Sequence, residues 1–250
     1  MAGFLGSGDV YYERVVAGVS TGWLRFGNAT KMEIKENSEI KERKSKQKAN
    51  YGQVLDSVAV KQPAEISIAL DDLDKDNLAL VFLGDVVDAA VTGASITGEA
   101  QTAYLDKSIK TVQRKISTVV VKDVTDVTTY VEGTDYEIEN AEMGLIKILA
   151  SGGTIVEGDV LHIDYAHGTI TGNKVQGGTN ASIKVALMLD GENFADQSKV
   201  LVNVWEAVLA PQSGVDFLSD DFSTLELNGT LNSPDGKPSG YEVETDIVYS

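Results

Sequence analysis

The segment that decides the fold is residues 31–84, KMEIKENSEIKERKSKQKANYGQVLDSVAVKQPAEISIALDDLDKDNLALVFLG. It runs from a short apolar strand through a dense charged stretch into an alternating strand, and then into a short helix. The charged stretch at 41–48 is strongly basic, although the whole chain has a net charge of −17. Seven Lys or Arg and four Glu lie between Lys31 and Lys48, which leaves 14 of the 21 basic and 34 of the 38 acidic residues elsewhere. The sequence therefore predicts two surfaces of opposite charge.

Strand patterns flank the charged stretch. Ile66, Ile68 and Leu70 alternate with Ser or Ala, which is the period of two expected of a half-buried strand. With the earlier strand, this pattern predicts a hairpin whose strands are joined by a long, protruding charged loop, residues 35–53. Such a loop either stays solvated or serves as an interaction element that reaches an acidic surface. Its candidate contact residues are Lys41, Arg43, Lys44, Lys46 and Lys48.

A short helix is predicted directly after the second strand. Asp74 is a favourable N-cap, and Leu73 and Leu78 stand at the N′ and N4 positions of a hydrophobic staple. Gly84 suits the C′ position. Since a helix of about nine residues is not stable alone in water, it must pack on a sheet. The residues predicted to pack are Leu78, Val81 and Phe82.

The composition excludes several classes of chemistry. The 250-residue chain contains no Cys and only two His. Thiolate catalysis and Cys-based zinc sites are therefore excluded, and the commonest general base is scarce. Hydrophobic residues make up 42% of the chain, and a chain of this size buries roughly 70% of its unfolded surface. We predict a folded protein that is not an enzyme and needs no cofactor or metal.

Three groups of residues resemble functional motifs without completing them. The DxDxD run at 72–76 begins like an EF-hand loop, but Asn77 and Leu83 stand where Gly and Glu are required. His162 and His167 are five positions apart, which is no standard ligand spacing. A carboxylate cluster could in principle serve glycoside hydrolysis, but on so acidic a chain it is more typical of a solvated loop. That cluster consists of Asp216, Asp220 and Asp221.

The sequence divides into three parts. Residues 1–22 are rich in Gly, which predicts an N-terminal arm. Residues 23–100 and 170–250 carry strand patterns and one helix, which favours an antiparallel β-sandwich or barrel. Residues 101–169 contain short strand-like runs separated by turns, which predicts an inserted small β subdomain. We find no signal-peptide pattern and no window with the ~18 apolar residues of a membrane span.

These segments, in this order, resemble the major tail tube protein of long-tailed, non-contractile bacteriophages. The resemblance rests on the order of the elements and on their residue patterns more than on a strict motif. It covers residues 1–100 and 170–250. The middle segment at 130–136 resembles small β modules found inside phage tail proteins. The elements that carry the main resemblance are the strand at 32–34, the charged loop, the strand at 64–70, the helix segment at 71–84 and the run at 217–240 with its turn at 233–240.

The resemblance implies a β-sandwich or barrel subunit with one short flanking helix. In that family, six copies close a ring around a lumen, and rings stack head to tail into a tube that conducts the genome. The long loop with its five cations, and the N-terminal arm with Tyr11 and Tyr12, would bridge one ring to the next. DNA carries about one negative charge per 1.7 Å of its axis, so an acidic lumen would let it pass without specific binding.

The resemblance also implies partners and a location. The partners are further copies of the chain and other tail proteins, namely the terminator, tape measure and distal tail proteins. The location is the virion tail, assembled in the host bacterial cytoplasm, with no membrane contact. A tail terminator or a baseplate ring protein is an alternative with a similar fold. An extracellular β-sandwich adhesin or glycan-binding module is a second alternative, suggested by acidic loops and by the aromatic residues Trp23, Trp205 and Tyr249.

Overall fold

The computed structural model describes residues 5–16 and 19–247, without the side chain of Asp246. Within these residues the chain is mainly β, with antiparallel sheets and one α-helix, which confirms the prediction of a mainly β chain with one short helix. The helix is α1 (Lys75–Val81). The strands are β1 (Gly6–Val16), β2 (Val19–Arg25), β3 (Ala29–Lys44), β4 (Val54–Leu70), β5 (Asp85–Asp88), β6 (Ala94–Thr102), β7 (Ser108–Lys110), β8 (Ile116–Asp123), β9 (Tyr136–Asn140), β10 (Leu145–Ile148), β11 (Val160–His167), β12 (Asn173–Gln176), β13 (Ile183–Asn193), β14 (Ser198–Pro211), β15 (Leu225–Asn232) and β16 (Tyr241–Ile247).

The chain divides into two compact units. The larger unit comprises residues 1–87 and 175–250, and the smaller unit comprises residues 88–174. The sequence-based boundary at residue 101 is wrong by one strand, because β6 pairs with β11 of the smaller unit. The sequence did not reveal this, because the sequence of a strand does not show which other strand it pairs with.

The larger unit is built on one sheet with the strand order β2-β1-β13-β14-β15-β4-β3. Strand β14 is long enough to pair with β16 through its first half and with β15 through its second half. Val10 and Tyr12 at one end of the sheet share a core cluster with Ile66 and Ile68 near the other end. The sheet therefore curls around its own core, and the predicted alternation at Ile66, Ile68 and Leu70 is confirmed because all three are buried.

The N-terminal segment is part of this sheet, so the prediction of an arm is wrong for the described residues 5–16. Strand β1 lies between β2 and β13. Tyr12 is 1% exposed, and its ring stacks on that of Phe26 with a centroid separation of 4.3 Å. Tyr11 points to the opposite side of the strand and is half-buried. Residues 1–4 and 17–18 of the predicted arm lie outside the described residues.

The start of α1 confirms the predicted cap. The Asp74 carboxylate accepts a hydrogen bond from the Asn77 backbone N–H at 2.7 Å. At the other end, Leu83 and not Gly84 takes the left-handed position, with φ 48°, and the Gly84 N–H donates to the Ala79 carbonyl at 2.7 Å in a Schellman pattern. Gly84 is required for another reason, because a Cβ there would lie 2.3 Å from the Gln176 carbonyl oxygen.

The buried face of α1 is centred one residue away from the predicted one. Val81 is 4% exposed and Phe82 packs against the core, as predicted. Leu78, predicted to pack, is half-buried, and Leu80 is buried in its place at 1% exposure. Asn77 is fully buried, and its side-chain amide donates to the Phe26 carbonyl at 2.9 Å. This hydrogen bond ties the helix to the preceding strands.

The smaller unit has its own core. Its two three-stranded sheets have the orders β6-β11-β8 and β7-β10-β9. The fully buried side chains include Val121, Ile146, Leu161 and Ile163, which belong to one cluster that is separate from that of the larger unit. Each unit therefore has the apolar interior that independent folding requires.

Asp135 is the buried carboxylate of the smaller unit, at 4% exposure. Its oxygens accept hydrogen bonds from the Val131 N–H at 2.8 Å and from the Thr154 N–H and hydroxyl at 2.6 and 3.0 Å. Burial acts to raise the pKa of Asp135, but these three hydrogen bonds together outweigh it and lower the pKa below its usual value.

We expect Asp135→Asn to destabilise the smaller unit by about 1–3 kcal/mol at pH 7, because an amide cannot accept all three hydrogen bonds. The lowered pKa stabilises the native state above the unfolded pKa of about 3.9 and loses this contribution as pH falls through the folded value. The variant should therefore lose less stability between pH 5 and pH 2 than the parent. Hydrogen exchange of residues 131–154 measures both effects, with Glu132→Gln as an exposed control.

Candidate functional site

The described residues contain no cluster of three or more His, Asp and Glu side chains that could hold a metal ion. His162 Nδ1 lies 3.1 Å from a carboxylate oxygen of Asp126, while Asp164 accepts from Lys122 Nζ at 2.6 Å. The carboxylate of Asp164 is thus paired with Lys122. His167 is 7% exposed and packs near the Tyr165 ring. These groups form separate polar contacts and do not converge on a shared site.

The charged excursion is not a loop but an ordered two-stranded ribbon, which corrects the prediction. Strands β3 and β4 remain paired beyond the core, from Asn37 opposite Gln62 to Lys44 opposite Val54. Ala64 is the last buried residue of β4 on this side. We call residues 37–62 the ribbon; its paired part extends about 25 Å at 3.3 Å per residue.

The end of the ribbon folds through its own hydrogen bonds. Ser45 is 2% exposed, and its hydroxyl donates to the Asn50 side-chain oxygen at 2.7 Å. Its backbone N–H donates to the Gln53 carbonyl at 2.7 Å, and its carbonyl accepts from the Gly52 N–H at 2.9 Å. Gly52 permits the tight turn with φ 87°. The tip, residues 43–55, therefore has a defined conformation.

All five predicted cations lie on this ribbon. Lys41 and Lys44 reach the Glu two residues earlier in the same strand, at 4.0 and 3.3 Å, and Lys46 Nζ stands 5.6 Å from the centre of the Tyr51 ring. Exposed pairs of this kind contribute about 0–1 kcal/mol. In the described structure Arg43 and Lys48 have no carboxylate within ion-pair distance. The tip carries four cations and no carboxylate, so most of its charge is open to an external partner.

Sequence analysis missed the apolar side chains of the ribbon. Ile40 is 66% exposed, Tyr51 72% and Val58 58%. Cross-strand pairing places Ile40 with Ala59 on one face, and Val58 with Lys41 on the other, so both faces are partly apolar. The others are Val54, Leu55 and Val60. The alternation of valines at 54–60 was the sequence signal for these apolar side chains. It does not reveal that no other part of the described structure packs over this part of the strand.

The ribbon has two properties that are typical of an interaction surface. An isolated two-stranded hairpin is at best marginally stable in water, and exposed apolar side chains rimmed by charge mark interaction surfaces. The ribbon combines both properties with a strong local positive charge. We therefore identify the ribbon as the candidate functional site.

The aromatic residues considered for glycan binding do not form one platform. Trp23 lies on β2 and Trp205 on β14, and two other strands separate them in the sheet order. Lys237 Nζ stands 3.3 Å from the centre of the Trp205 ring and covers that face. Tyr249 lies outside the described residues. Trp23 alone is openly exposed, at 47%.

Comparison with protein-family models gives one match to report. The family described as "Protein of unknown function UCP028589" matches residues 3–243. The chain belongs to this family. The matched span contains the ribbon, α1 and the whole smaller unit. Comparison with curated proteins gives no match. In the described part of this family member, no helix has the length and apolar character needed to cross a membrane.

Proposed function

We propose that the protein is a structural subunit of a bacteriophage tail, which self-assembles into stacked rings, six copies each, that form the tail tube. In this proposal the larger unit is a tail-tube type β-sandwich, and the smaller unit is an insertion into it. The subunit is not an enzyme and uses no cofactor. It assembles in the host cytoplasm, and the finished tube contacts terminator, tape measure and distal tail proteins.

The observation that carries this proposal is the ribbon. It projects about 25 Å and leaves four cations at its tip and six apolar side chains exposed. A monomeric protein gains nothing from this exposure, whereas a subunit that contacts its copies buries it. Five of the six Lys and Arg of the ribbon are also the cations that sequence analysis assigned to ring stacking.

Charge supports the proposal independently. Residues 37–62 contain six basic and three acidic side chains, so the rest of the chain carries a net charge of −20. Six copies would carry 102 net negative charges. Like charges repel DNA, and a lumen with this sign would avoid the multiple phosphate contacts that hold DNA on a basic surface. Such acidic rings stack only if positive charge is supplied at the seam, where the ribbon would lie.

Electron microscopy of the purified protein tests the proposal. We expect rings or tubes of uniform diameter in negative stain at low salt, with tube length increasing with protein concentration. A tail terminator would give single rings that do not elongate. A protein that remains monomeric at millimolar concentration, with or without other tail proteins, would rule the proposal out.

A further inference from the structure

The connection between β14 and β15 carries a second exposed surface that no feature described above uses. Phe217, Leu218 and Phe222 are 72%, 92% and 100% exposed. Three exposed carboxylates lie between and beside them, and in the described structure none of them forms an ion pair. We call this set the acidic–apolar loop: Asp216, Phe217, Leu218, Asp220, Asp221 and Phe222.

The acidic–apolar loop has a defined conformation. The Leu218 N–H donates to the Asp216 carboxylate at 2.9 Å, and the Ser223 hydroxyl donates to the Asp216 carbonyl at 3.1 Å. The Phe217 ring lies 6.2 Å from that of Phe82. The loop is therefore held in place while its large apolar side chains face solvent, as a preformed binding surface requires.

The acidic–apolar loop and the ribbon leave the sheet at opposite ends of β4. Leu225, the first residue of β15, pairs with Leu70 at the C-terminal end of β4. Phe222 lies beside Asp71 and Asp72, which follow that strand end. The ribbon continues from the other end of the same strand. Copies displaced along the strand direction therefore bring the ribbon of one toward the acidic–apolar loop of the next.

We infer that the acidic–apolar loop is the docking site for the ribbon tip of a second copy of this chain, an inference that rests on the proposed function. The tip offers four cations, and the loop with Asp71 and Asp72 offers five carboxylates. The exposed Tyr51 and Leu55 of the tip offer apolar surface that would pack on the exposed rings of Phe217 and Phe222 in the loop. Because the two surfaces differ, the contact is heterologous. With each copy displaced along the strand direction, such a contact would repeat as an open filament.

Cysteine cross-linking tests the contact directly, because the natural chain has no Cys. We expect the double variant Tyr51→Cys, Leu218→Cys to give a ladder of disulfide-linked oligomers under mild oxidation. Tyr51→Cys alone should stop at dimers. Tyr51→Cys with Met143→Cys, whose second site is exposed on the smaller unit, is the matched control and should also give no ladder.

A charge exchange tests the energetics of the same contact. Asp216→Lys, Asp220→Lys and Asp221→Lys together should raise the critical concentration for assembly at least about tenfold, because like charges then face each other. Combining them with Lys44→Glu, Lys46→Glu and Lys48→Glu restores opposite charges and the net charge of −17, so assembly should return. The ribbon substitutions combined with Glu132→Lys, Glu142→Lys and Asp235→Lys are the control and should not restore it.

The outcomes separate this inference from the proposed function. A ladder without tubes keeps the contact and rejects the tail tube. Tubes that form normally with the lysine-substituted loop, or that give no ladder, reject the contact and keep the tail tube. Absence of both tubes and ladder rejects both.

Discussion

Reversal of Lys44, Lys46 and Lys48 to Glu is expected to block polymerisation at concentrations where the parent assembles, while the fold stays intact. All three are exposed on the ribbon tip, and of the three Lys44 alone has a carboxylate within ion-pair distance, that of Glu42 at 3.3 Å. The substitutions turn the tip from four positive charges to a net charge of −2, which then repels an acidic partner. We expect the critical concentration to rise by at least about tenfold. Light scattering and negative-stain microscopy measure it, and circular dichroism checks the fold.

The matched control for this reversal is Lys110→Glu, Arg114→Glu and Lys174→Glu. These three cations are exposed and lie outside the ribbon, and their reversal changes the net charge by the same amount. Normal polymerisation of the control and loss in the ribbon variant would localise the effect to the ribbon. If both variants polymerise like the parent, the ribbon is a solvated hairpin and not a contact.

Salt offers a further check, since 1 M salt shortens the Debye length to about 3 Å and should weaken the parent contact.

Ile68→Ala is expected to destabilise the larger unit by about 2–5 kcal/mol, because it empties space in a core that cannot fully collapse. Ile68 is fully buried in β4, directly beside β15. Both Trp residues of the chain, Trp23 and Trp205, belong to the larger unit. Tryptophan fluorescence during urea denaturation therefore follows this unit selectively, and the midpoint should move to lower urea.

The equivalent cavity in the smaller unit is the control. Ile163 is also fully buried, in a separate cluster. Ile163→Ala should leave the tryptophan transition within about 0.5 kcal/mol of the parent, as expected for distant sites, while far-ultraviolet circular dichroism detects the loss in the smaller unit. Equal shifts of the tryptophan transition in both variants would show that the two units unfold as one, against the independence that their separate cores imply.

Local patterns in the sequence were sufficient for local structure. The alternation at Ile66, Ile68 and Leu70 predicted a half-buried strand, and Asp74 predicted the start of the helix, because each depends on neighbours within a few residues. The cations of the ribbon were found in the same way, since their density is visible without any structure. Such patterns were insufficient at the end of the helix. Sequence analysis assigned the left-handed position to Gly84, but Leu83 takes it. Glycine is needed at position 84 because Gln176 approaches it too closely for a Cβ.

The tertiary structure alone decided how these pieces are arranged. Tyr12 is a core residue and not part of an arm, because β1 pairs with β13 more than 150 residues later in the sequence. The ribbon is ordered because β3 and β4 continue their ladder, and its apolar residues are exposed because no layer covers them. The opposite placement of the ribbon and the acidic–apolar loop follows from the pairing of β4 with β15. Such pairings depend on the summed fit of all strands around one core, which no short segment of sequence encodes.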